Sequence, residues 1–296
     1  MSEQSAPSSV SSASSWSWPV WRARPDAIGV WLRRNATTVL SVAVIALALG
    51  FAVVPSVFAD GDPLLAVPAD KLRAPSAEHW FGTDNLGRDV YTRFVHGAAL
   101  SLTATVSAVA IALAIGALLG LIAGTAGDLT DGVIMRAIDV MLAIPQLLLA
   151  LAIIAALGFG TTKVAIAVAV VLIAGFARVM RAEVLRVRHA PYVEAARAFG
   201  VPRPVILGRH VLRNSYAPVL ALAAAEFGMA ILLISSLSFL GFGATPPAPE
   251  WGSLISEGRN YLATAWWMTT LPGLAIVAVV LAAHTIGHRI AEGEQR

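Results

Sequence analysis

Gly97 to Gly127 reads GAALSLTATVSAVAIALAIGALLGLIAGTAG, thirty-one consecutive residues without a charged side chain. A helix crosses the hydrocarbon core of a bilayer with about 20 mostly apolar residues, so this run is long enough to span. Its neighbours repeat the pattern. Thr38 to Phe58 is an uncharged run of 21 residues and Val140 to Thr162 is one of 23. Across 296 residues the chain is 57% hydrophobic and 13% charged, with a mean hydropathy of +0.73, far more apolar than a soluble domain. The fold class expected is an all-α polytopic membrane protein.

Six spans account for the apolar runs. Val164 to Ala177 is only 14 uncharged residues between Lys163 and Arg178, yet it is read as span four, because the flanking cations can snorkel to the headgroups and apolar residues continue to Leu185. Span five runs from about Tyr216 to Leu240 and span six from about Met268 to His284, with Trp266 and Trp267 as an interfacial belt. Six spans place both termini on one side. With the N-terminus inside, fifteen of the 21 Lys and Arg residues fall inside and six outside, so both termini are expected to be cytoplasmic. The divisions are a cytoplasmic tail over 1–37, a first span over 38–58, an extracytoplasmic loop over 59–96, a transmembrane domain over 97–290 and a cytoplasmic tail over 291–296. Residues 1–18 hold nine serines and one charge, and disorder is expected there, with Trp16, Trp18 and Trp21 at headgroup level.

One polar stretch among these spans stands out. Tyr192-Val193-Glu194-Ala195-Ala196-Arg197-Ala198-Phe199-Gly200 predicts a short helix, with Pro191 in its first turn and Gly200 as a left-handed cap. Glu194 lies near the positive end of the helix dipole and is placed to pair with Arg197, while three alanines let another surface approach closely. Glu194-Ala195-Ala196, three residues, then Gly200 resembles the EAA loop of binding-protein-dependent ABC importer permeases. The resemblance implies a coupling helix resting in a groove of a separate ATPase subunit, through Tyr192, Glu194, Ala195, Ala196, Arg197 and Gly200.

Longer motifs narrow the resemblance. His79 to Val90 (HWFGTDNLGRDV), followed by Gly97 to Leu102, is similar to a segment of the dipeptide, oligopeptide and nickel permeases, specifically their C-type subunit. Leu237 to Gly243, Pro246-Pro247, Glu250-Trp251-Gly252 and Glu257-Gly258-Arg259 resemble that subunit's last external loop, and Arg209 to Leu212 the end of its EAA region. Two positions depart from the family. Arg213 stands where a proline is usual, so a less kinked lead-in to span five is expected. Ile234 holds an often acidic position while Glu226 carries an acid eight residues earlier. The two lie about 80° apart around a helix, so Glu226 is no simple replacement.

Simpler readings compete at several sites. Gly116, Gly120 and Gly124 recur every four residues and are read as a helix-packing stripe. Asp84, Asn85 and Asp89 lack the alternation of a calcium loop and are read as turn residues beside Gly82 and Gly87. Glu226 is costly inside an apolar span, and either lines a pathway or pairs at the interface with a second permease. His284 and His288 share a helix face at i and i+4 and are read as interfacial.

Catalysis has no foothold here. The two lysines follow Asp70 and Thr162, so no Gly-Lys-Ser/Thr phosphate loop exists, and the chain is not itself the ATPase. No cysteine is present, which removes disulfides, thiolate metal sites and thiol nucleophiles. The charges form no nucleic-acid face. The resemblance implies a type I ABC importer transmembrane domain in a bacterial plasma membrane, paired with a second homologous permease, two ABC ATPase subunits or a fused one, and an extracytoplasmic substrate-binding protein. ATP and Mg would be bound by the ATPases, with no cofactor on this chain. Peptides are the expected substrate class, with nickel complexes or other small solutes as the alternative, and an ion-coupled secondary transporter built on Glu226 as the rival of another class.

Overall fold

The computed structural model describes residues 35–293, and the side chains of 290–293 are left aside. The expectations for residues 1–34 and 294–296, including the three tail tryptophans, lie outside the described residues. Helices dominate. The main ones are α1 (Ala36–Val53), α2 (Val90–Thr125), α3 (Asp128–Ala143), α4 (Gln146–Leu157), α5 (Thr161–Arg188), α6 (Pro191–Ala198), α7 (Arg213–Phe239), α8 (Trp251–Gly258) and α9 (Trp267–Gly293), joined by short turns, by single helical turns and by longer segments over 54–89 and 240–250. Among the described residues, five helices are long and apolar enough to cross a membrane, and α3 with α4 makes a sixth span if the bent pair counts as one. The chain is a multi-pass membrane protein.

Four boundaries differ from the sequence reading. The uncharged run from Val140 to Thr162 is not one helix, because α3 and α4 meet at a 100° bend. Pro145 has no N–H to give and pushes Ile144 into extended geometry (φ −94°, ψ 131°), which ends a helix on its N-terminal side. The first span likewise stops at Val53, and Pro55–Phe58 forms a separate turn. Helix α2 starts seven residues before Gly97, since the Asp89 side chain accepts Thr92 N–H at 2.6 Å and caps it. The segment leading into α7 is wound as a π-helix over Ile206–Leu212, so it departs from α geometry without a proline at 213, and Pro218 lies inside α7.

Helix α5 is the centre of the bundle, with 67% of its span window buried against 11% for α1. The glycine stripe explains its closest partner. A Cβ on Gly116 would stand 2.6 Å from Phe176 Cβ, and Gly120 and Gly124 face Met180 and Val184 as closely. The stripe of α2 therefore packs on α5 within the chain, and the backbones approach because no side chain separates them. Helices α7 and α9 meet in the same manner, with Gly228 against Val280 and Gly287 against Ala225. The largest core cluster runs through α2, α4, α5 and α7.

The bundle has two different ends. Residues 59–89 and 240–266 gather at one, where Gly160 N–H donates to the Phe242 carbonyl at 2.9 Å. The turn after α2, the end of α5, α6 and the π-wound segment gather at the other.

Candidate functional site

Helix α6 is fixed by its ends. Ala190 supplies extended geometry before Pro191 (φ −69°, ψ 142°), and Gly200 turns left-handed at φ +79°. Gly200 N–H then reaches the Arg197 carbonyl (3.0 Å) and Val201 N–H the Ala196 carbonyl (3.1 Å). That pair of bonds is a Schellman cap, followed by Pro202, which closes the helix sharply. Val193 is fully buried and Ala196 is half-buried against the main core, so one face anchors the helix. Tyr192, Glu194, Ala195, Arg197, Ala198, Phe199 and Gly200 are exposed.

Two features of α6 escaped the sequence. Glu194 and Arg197 do not pair, because both side chains point outward and no ion pair joins them. Phe199, at the cap, is 89% exposed. A phenylalanine after the last anchored turn is the signal that would have found it, since no third buried position follows Val193 and Ala196.

Beside α6 opens a cleft of about 910 Å³, lined by Thr125 to Gly127, Arg188, Arg197 and the Gly200 to Leu207 stretch. Nothing lies within 4 Å of where a Cβ on Gly127 or Gly200 would sit. Among the described residues, its walls carry three arginines and no carboxylate.

At the opposite end the family-like motifs pack onto each other. Asp84 accepts the N–H groups of Leu86 (2.8 Å) and Arg88 (3.0 Å) as a turn. Its other oxygen takes Arg88 Nε at 2.6 Å and Arg93 Nη1 at 2.9 Å. Both arginines continue to Glu257 of α8, Arg93 at 2.6 and 3.0 Å and Arg88 at 2.8 Å. Two cations and two anions thus neutralise one another, with Asp84 and Arg93 each only 1% exposed. Asp89 is occupied by Thr92 N–H and by His79 Nδ1 at 2.9 Å.

The second motif seals the same cap. Glu250 is fully buried and accepts Ser238 Oγ–H and Ala244 N–H, both at 2.7 Å. Trp251 stacks on Phe94 with centroids 5.1 Å apart and donates its indole N–H to the Phe94 carbonyl at 3.0 Å. Trp267 is buried too and donates to the Thr83 carbonyl at 3.2 Å, which corrects its reading as an interfacial residue. Trp266 remains half-exposed. The correction has a plain cause: an indole N–H that finds a carbonyl can be buried, and hydropathy alone does not tell the two cases apart.

Glu226 lies midway along α7. Its Oε2 is buried without a hydrogen-bond partner, and it forms no ion pair among the described residues. It faces Gly175 at the middle of α5, where an added Cβ would stand 3.9 Å from Oε1. The His284 and His288 rings meet edge-on at 4.6 Å.

The model of the binding-protein-dependent transport system inner membrane component family matches residues 116–292. The dipeptide transport system permease protein DppC of Alkalihalophilus pseudofirmus is 41% identical over 86% of this chain and 84% of its own length. The probable D,D-dipeptide transport system permease protein DdpC of Escherichia coli is 40% identical over 88% of each. Among solved structures, an inward-facing MetNI methionine ABC transporter chain superposes with a TM-score of 0.56 at 18% identity, covering 69% of this chain and 97% of that one, a likeness of fold. The helical fold and the matched segment together settle the assignment: the chain belongs to the family of binding-protein-dependent transport system inner membrane components, the membrane permease components of ABC importers.

Proposed function

We propose that this chain is a permease subunit of an ATP-driven importer of small peptides. The observation that carries the substrate class is the identity of 40–41% to dipeptide permeases over nearly the whole chain. Within this reading α6 is the coupling helix. It is a short helix with one exposed face, anchored at Val193 and capped at Gly200 by two backbone bonds, and a rigid element transmits a push where a flexible loop would absorb it.

The topology follows from the same reading. The α6 end faces the cytoplasm with both termini, the 59–96 segment is extracytoplasmic, and residues 97–290 form the transport domain in a bacterial plasma membrane. A second permease completes the path, two ATPase domains hold ATP and Mg below, and a binding protein delivers substrate above. Glu226, with its unpartnered buried oxygen, borders the path or the second permease.

The test is uptake of a labelled dipeptide into vesicles containing all subunits. ATP-dependent accumulation that stops when the ATPases are omitted supports the reading, and uptake driven by a proton or sodium gradient alone refutes it. Glu194→Lys and Gly200→Asp should lower that uptake while the subunit stays in the membrane. The first reverses an exposed charge at the docking face, and the second forces a side chain into positive φ at about 1 kcal/mol.

A further inference from the structure

Eight arginines lie between Arg178 and Arg213, and the structure divides them by position. Arg178 pairs with Asp139 at 2.8 Å, Arg181 grips Asp131 through two bonds, and Arg186 pairs with Glu183 at 2.6 Å. Arg188 donates to the Gly124 carbonyl at 2.7 Å. Arg197, Arg203, Arg209 and Arg213, all exposed, have no ion-pair or hydrogen-bond partner for their guanidinium groups among the described residues. Within this stretch the four arginines before α6 are engaged, and the four from Arg197 to Arg213 are not. Arg197 and Arg203 converge on the 910 Å³ cleft, which Arg188 also lines and whose apolar walls include Val201, Pro202, Pro204 and Leu207.

We infer that this cleft receives an acidic, partly apolar segment of the ATPase subunit, so that docking is reciprocal: α6 inserts into the partner while the partner inserts beside α6. This rests on the coupling role proposed for α6. Charge complementarity names the occupant. Three arginines without a carboxylate give a positive concavity, and like-charged surfaces juxtaposed there would repel. The volume is at the upper end of pockets that enclose a ligand, about 300–1,000 Å³, and has room for several side chains. The proline-flanked apolar wall asks for carbon as well as charge, which a peptide segment offers together.

Exposed charges at the edge of an interface act chiefly on association rate and salt dependence, and that sets the measurement. The two permeases, reconstituted together in nanodiscs, are titrated with the ATPase subunit over a range of salt concentrations. Wild-type binding weakens as salt rises. The double variant Arg197→Glu, Arg203→Glu binds about tenfold more weakly at low salt, a change of about 1.4 kcal/mol, and its salt slope is flatter. Arg209→Glu, which reverses an equally unpaired arginine outside the cleft, stays within about twofold of wild type. A double variant that matches wild type, or matches Arg209→Glu, overturns the inference. So does unchanged ATPase binding with an altered dependence on phosphatidylglycerol content, which identifies a lipid headgroup as the occupant. Glu194→Lys and Gly200→Asp, assayed in sealed vesicles holding all subunits, separate the two levels: if they uncouple ATP hydrolysis from uptake while the arginine variant binds normally, the coupling helix stands and the cleft falls.

Discussion

Replacing Asp84 with alanine removes one corner of the four-charge cap between the 59–89 segment and α8. Asp84 is 1% exposed and accepts two guanidinium bonds and two backbone N–H groups. Its loss leaves Arg88 and Arg93 to share Glu257, with Arg93 buried and one negative charge short. Removing one partner of a buried pair costs about 3–5 kcal/mol, because the remaining charge stays desolvated. Domains of this size lose roughly 2 °C of midpoint per kcal/mol, so the purified complex should melt at least about 6 °C lower. Hydrogen exchange tells where. Protection should fall together over 83–93 and 251–258, since the same guanidinium groups hold both, while α6 and the α2–α5 contact keep theirs. Glu257→Gln should be milder, because Glu257 is 25% exposed and Asp84 still holds both arginines. An Asp84→Ala protein melting within about 1 °C of wild type, with unchanged exchange in both segments, would refute the reasoning.

Three further outcomes follow from the packing and the charges. Gly120→Val should expel α2 from α5, costing about 1–3 kcal/mol or more through overpacking, and is read as a lowered melting midpoint and reduced recovery from membranes. Glu226→Gln should leave assembly intact and shift apparent peptide affinity if the carboxylate borders the path. Loss of the second permease on purification would place it instead in a buried pair. Single cysteines at Ala263 and Ala198, both exposed in a cysteine-free chain, should differ towards an impermeant thiol reagent in intact cells, Ala263→Cys reacting and Ala198→Cys not. The opposite pattern would invert the topology.

Spans were legible because hydropathy is additive along a helix, and even the short uncharged run at 164–177 belongs to a 28-residue helix. Their breaks were less so. Pro145 sits inside an unbroken apolar run, and reading composition alone passed over the one residue that bends it by 100°. The cap of α6 could be read from Pro191 and Gly200, since those residues act locally. The ion cluster could not: Glu257 is separated by 164 positions from Arg93, and nothing in either motif announces the other. Trp267 misled for a similar reason, because its carbonyl partner at Thr83 is remote in sequence. The glycine stripe was readable as a packing face, and the structure supplies its partner, α5.

The central claim is that α6 is the surface on which the ATPase sits. Ala195→Cys, on the exposed face of α6, tests it most directly when a short thiol-directed photocrosslinker is attached and the assembled complex is irradiated. An adduct between this chain and the ATPase subunit is expected, while the same probe at Ala263 gives none. An ATPase adduct from Ala263, or none from Ala195 in a complex that still hydrolyses ATP and takes up peptide, would contradict it.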